Sequence, residues 1–76
     1  MENTRNIYDV LDSSDIETIE ERIFTAKEYD EEPWQIWEWV CNGNISSEGE
    51  MALNDDDDIQ IIGEWMESLY KVAGLE

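Results

Sequence analysis

Residues 13–26, SSDIETIEERIFTA, set Ile16, Ile19, Ile23 and Ala26 three and four positions apart among four carboxylates. An unpaired carboxylate is too costly to bury. The backbone must therefore turn all four apolar groups to one side and leave most of the acids on the others. A period of 3.6 residues does this, and a strand does not. The spacing predicts a helix over about 15–29, with Ser14 and Glu17 as its capping box. Its stripe leaves Glu17, Glu21 and Glu28 together on another face.

The same logic organises the rest of the chain. TRNIYDVL, residues 4–11, predicts a short first helix with Ile7, Val10 and Leu11 on one side. YDEEP stops the second helix, and Pro33 suits the first turn of a third. PWQIWEWVCNG reads as that helix, closed near Asn42 and Gly43. Its wheel gathers Ile36, Val40, Trp37, Cys41 and Trp34 on one broad face, with Trp39 at the edge. IWEWV also has strand composition. Residues 42–54, NGNISSEGEMALN, read as a loop with room for a short strand near Met51 to Leu53. A last helix is expected from Asn54 or Asp55 to about Val72, with Ile59, Ile62, Trp65, Met66, Leu69 and Ala73 along one stripe. Gly63 costs it about 1 kcal/mol relative to alanine. Lys71 suits its last turn, and Gly74 followed by Leu75 fits a Schellman ending. The expected fold is mainly α: a small three- to four-helix domain, with a short β element possible in 45–53. Residues 1–76 form one acidic domain with one modest core.

Several function classes are disfavoured. There is no histidine, so the usual nucleophile-and-base constellations are missing. The single cysteine, Cys41, allows no internal disulfide and no Cys/His zinc site, and reads as a small core residue. No glycine-rich phosphate loop is present. A calcium loop begun at Asp56 would place Asp58 and Glu67 at positions three and twelve, but Ile61 where the turn requires glycine. The expectation is a protein with no catalytic residues, no cofactor and no metal. No apolar run approaches a membrane span, and no basic-then-apolar leader opens the sequence. The expected location is the cytoplasm. A net charge of −17, from 21 acids and 4 bases, should repel both nucleic acid and anionic membranes.

What remains is the charge itself and the tryptophans. One aspartate suffices to cap a helix, yet Asp55, Asp56, Asp57 and Asp58 stand in a row. EYDEEPW sets Glu28, Asp30, Glu31 and Glu32 beside a tryptophan cluster. Trp37 reads as core. Trp34, Trp37 and Trp39 cannot all be buried in 76 residues, so Trp34 or Trp39 is expected at a dimer or partner interface, and the protein is expected to be a homodimer. The candidate partner-binding surface is Glu17, Glu21, Glu28, Asp30, Glu31, Glu32 and Asp55 to Asp58. Such a surface fits a basic protein. Duplex DNA carries one charge per about 1.7 Å of axis, so seventeen charges correspond to about 29 Å of duplex.

In size, charge and its acidic runs DSSDIETIEE, EYDEEP and NDDDDI, the chain resembles the small anti-restriction and anti-CRISPR inhibitors of bacteriophages, several of which mimic DNA. That resemblance of type implies a viral inhibitor of a DNA-handling component of a bacterial defence system, of restriction, BREX or CRISPR type, acting inside the infected host. The alternative is an acidic adaptor or regulatory subunit. It would bind a basic patch on a non-defence protein, such as a transcription factor or nucleoid protein, with Trp34 or Trp39 as anchor.

Overall fold

The computed structural model describes residues 6–75. They form five helices: α1 (Ile7–Val10), α2 (Ser13–Thr25), α3 (Pro33–Cys41), α4 (Ser47–Leu53) and α5 (Asp56–Val72). The domain is mainly α, as expected, but has one helix more than expected and no strand among the described residues. Residues 4 and 5 of the expected first helix lie outside the described residues.

The α2 stripe is the centre of the core. Ile16, Ile19, Ile23 and Ala26 are all buried, against Ile36 and Val40 of α3 and Ile62, Met66 and Tyr70 of α5. Ile7 and Leu11 close one side and Ala52 another. Each fully buried aliphatic chain of this size contributes about 1.5–3 kcal/mol. Half a dozen of them hold the helices in place despite the surface charge.

Two cap assignments differ from the sequence reading. Ser14 and Glu17 do not form a capping box. Asp12 caps α2 instead, its side chain accepting the Asp15 N–H at 2.9 Å. The helix starts earlier, so Ser14 lies inside its first turn, where its carbonyl accepts the Thr18 hydroxyl. A carboxylate two residues upstream is as good a cap as serine and brings charge to the positive helix end. At the other end α2 stops at Thr25 and continues as tight turns to Tyr29. Asp30 then takes φ +59°, and the Glu31 N–H reaches back to the Ala26 carbonyl. This is a Schellman ending with aspartate in the left-handed place usually held by glycine. Replacing Asp30 with glycine is expected to stabilise the fold by about 0.5–1 kcal/mol, the relieved left-handed strain less the added chain entropy. A thermal melt should rise by a few degrees. An unchanged or lower midpoint would show that Asp30 is not strained there.

α5 ends as expected. Gly74, at φ +79°, donates to the Lys71 carbonyl, and the Leu75 N–H reaches the Tyr70 carbonyl at 2.8 Å.

Residues 47–53, expected as loop or strand, are the helix α4. Ser46 caps it by accepting the Gly49 N–H at 3.2 Å. Asp15 of α2, 5% exposed, accepts both the Ser46 N–H (3.0 Å) and the Ser46 hydroxyl (2.5 Å). The α4 cap is thus held by a residue 31 positions away.

The face of α3 is also rotated from the expected one. Ile36 and Val40 are buried, but Cys41 and Trp34 are exposed, while Trp37 and Trp39 pack partly against the core. Cys41 is therefore not a core residue. Partial burial of its thiol still pushes its pKa above the ordinary thiol value.

Candidate partner-binding surface

The four aspartates do not form a loop that wraps an ion; they open α5. Asp55 is the cap, accepting the N–H groups of Asp57 (3.0 Å) and Asp58 (3.1 Å). Asp56 and Asp57 face solvent, and Asp58 is half-buried. One carboxylate of the run does local work, and two are presented outward on a helix that fixes their direction.

Glu17 and Glu21, one turn apart on α2, line a groove of about 570 Å³. Trp39 of α3 lines it too, with Arg22 and Tyr29. Arg22 bonds Glu31 at 2.6 Å and lies 4.9 Å over the Trp39 ring. This corrects two sequence expectations. Glu31 is part-buried and paired, so it is not a free member of the acidic surface. Trp39 is covered by a guanidinium from its own chain, so Trp34, at 59% exposure, is the open tryptophan. The pairing spans nine residues, from α2 to the connection before α3, and no local pattern announces it.

The remaining acids divide by position. Glu28 and Asp30 are exposed in the turns after α2, and Glu32 is exposed at the start of α3. The Glu32 N–H is held by the Gln35 side chain at 2.8 Å. This end of the molecule also holds the lysines. The Lys27 ammonium lies 2.9 Å from where a Gly74 Cβ would stand, and Lys71 occupies the last turn of α5. The opposite end differs. The Asp15–Ser46 clasp fixes the start of α4 to the start of α2, and α4, about 10 Å long, delivers the chain to the start of α5. Asp12, Glu17, Glu48, Glu50 and Asp55 to Asp57 therefore gather around the N-terminal ends of three helices, away from both lysines. Sequence reasoning missed Asp12, Glu48 and Glu50. The last two sit in the first turn of α4, whose helical state was not legible.

The described residues carry 19 acids and three bases, the total less Glu2, Glu76 and Arg5. Sixteen net charges on a body 37 Å long amount to one per about 2.3 Å of its long axis, against about 1.7 Å for a duplex. Among the described residues no helix is long and apolar enough to cross a membrane. The chain matches no protein-family model, no curated protein and no solved structure.

Proposed function

We propose that this protein inhibits a DNA-binding protein by offering an acidic, DNA-like surface to the site that normally holds phosphates. The target class is a bacterial anti-phage defence component of restriction, BREX or CRISPR type. The observation that supports the reading is how little of the negative charge is neutralised and how firmly it is held. Asp12, Glu17, Glu48 and Asp55 to Asp57 stand exposed at the N-terminal ends of α2, α4 and α5, Glu28, Asp30 and Glu32 stand exposed at the end that holds Lys27 and Lys71, and Arg22 is engaged by Glu31. Helix starts hold the first group in fixed directions, and a prearranged anionic surface pays less ordering entropy on binding than a flexible acidic tail.

The adaptor reading keeps one observation in its favour: Trp34 stands exposed as a ready interface anchor. A single experiment separates the two. The immobilised protein is exposed to lysate of a defence-bearing bacterium, and bound proteins are eluted with duplex DNA at constant ionic strength. Mimicry predicts capture of a defence nuclease or ATPase that the duplex displaces. Capture that a saturating duplex leaves intact would sink mimicry. Capture of a transcription factor or nucleoid protein would favour the adaptor.

A further inference from the structure

We propose that the groove between α3 and α5 receives an arginine side chain of the partner protein, stacked on Trp34 and Trp37 with its guanidinium toward Glu67. This deepens the reading above, since it rests on a basic protein as partner. The groove, about 360 Å³, is lined by Pro33, Trp34 and Trp37 from α3 and by Gly63, Glu67 and Tyr70 from α5. Trp34 and Trp37 are three residues apart, so they share one helix face. Gly63 and Glu67, four apart, share the facing one. A Cβ at Gly63 would meet nothing within 4 Å, so the missing side chain leaves the floor open beside Glu67. The Tyr70 hydroxyl donates to the Pro33 carbonyl at 3.4 Å and ties the two walls together.

The molecule already contains a filled version of this arrangement. In the neighbouring groove a guanidinium lies 4.9 Å over Trp39 and 2.6 Å from the Glu31 carboxylate. The α3–α5 groove offers the same two complements, indole faces and a carboxylate, with no cation in its lining. Indole faces attract cations through their quadrupole. The surrounding charge of the domain raises the local concentration of any cation. Arginine suits the slot better than lysine because its planar, weakly hydrated head stacks on aromatic rings. A second copy of the chain fits poorly. It brings a further net charge of −17, and its Arg22, the one arginine among the described residues, is engaged by Glu31.

The test uses the four indole N–H resonances of the intact protein, assigned by single tryptophan-to-phenylalanine changes. Acetyl-arginine-amide is titrated at low salt, with acetyl-citrulline-amide as the neutral probe of the same shape. Saturable shifts are expected at Trp34 and Trp37, with little change at Trp65 and a Kd on the order of 10 mM for one such side chain. Citrulline amide should bind at least about fivefold more weakly. Glu67→Gln should weaken arginine binding about two- to fivefold. Trp34→Ala, at an exposed position, should abolish the saturable shift at Trp37. Equal binding of the citrulline probe, or proportional unsaturable shifts at all four indoles, would overturn the proposal. So would shifts at Trp34 and Trp37 that follow protein concentration alone with a doubled mass, since a second copy would then fill the groove. These outcomes leave duplex-competed capture untouched, so failure of the groove and failure of mimicry are separable.

Discussion

Asp15→Ala is expected to lower folding stability by about 2–4 kcal/mol. A domain of 76 residues has roughly 4–11 kcal/mol in total, so the change approaches the limit of a foldable chain. Asp15 is the one buried charged residue among those described. Its carboxylate accepts two hydrogen bonds from Ser46, one from the backbone N–H and one from the hydroxyl. Hydrogen bonds to a charged group contribute about 1.5–3 kcal/mol, and an orphaned N–H adds its own desolvation cost. The second bond has a relay effect. The Ser46 hydroxyl donates to Asp15 and accepts from the Gly49 N–H, so Asp15 orients the group that caps α4. Without it, a seven-residue helix loses its start. Asp15 also sits in the first turn of α2, where negative charge is worth about 0.3–1 kcal/mol.

One effect opposes these. Removing a negative charge from so acidic a body relieves repulsion, more so at low salt. The measurement is therefore a urea or thermal unfolding curve at moderate salt, followed by tryptophan fluorescence. The midpoint should fall by roughly 10–25 °C. Ser46→Ala, which loses one of the two bonds and the cap, should lose about half as much. Gly49→Ala should also destabilise, because its Cβ would stand 2.7 Å from Ile45 Cδ1 and 2.8 Å from Asp15 Oδ2. A loss below about 0.5 kcal/mol for Asp15→Ala would mean that the α2–α4 clasp is not what orders residues 44–53.

The second large effect falls on binding. The double change Asp56→Asn and Asp57→Asn is expected to weaken partner affinity by up to about thirtyfold at low salt, with the fold intact. Both side chains face solvent. The bonds that start α5 go from backbone N–H groups to Asp55, so they survive. Loss of two first-turn charges costs about 0.3–1 kcal/mol each, and relief of repulsion with Asp55 and Asp58 offsets part of it. An exposed ion pair contributes up to about 1 kcal/mol, so two lost together give the expected range. The deficit should shrink as salt rises, because screening removes the same energy from the parent. Asp58 is left alone: it is half-buried, so its replacement would mix folding with binding. If the double variant binds the captured partner as tightly as the parent at low salt, the aspartate run is only an over-charged helix start.

Local chemistry made four of the five helices readable, α1 among them from Ile7, Val10 and Leu11. α2 was legible from its isoleucine spacing, α3 from Pro33 at its start and Asn42–Gly43 beyond its end, and α5 from its stripe, its aspartate cap and the Gly74 ending. Each signal acts within four or five residues, the range over which a helix satisfies its own hydrogen bonds. α4 was not readable: seven residues are two turns, too few for a period, and its cap is oriented by Asp15 from 31 positions away. The rotation of α3 escaped for a different reason. With three tryptophans, a cysteine and two aliphatic residues in nine positions, several faces are apolar enough to bury. Packing of α3 against α2 in the shared core and the stacking of Arg22 on Trp39 chose Ile36 and Val40, leaving Cys41 and Trp34 outside. The amount of charge was fixed by composition. Its placement, with exposed carboxylates at three helix starts and both lysines at the other end beside Glu28, Asp30 and Glu32, came only when the core set the helices side by side, because distances between chain-remote charges exist only in the folded molecule.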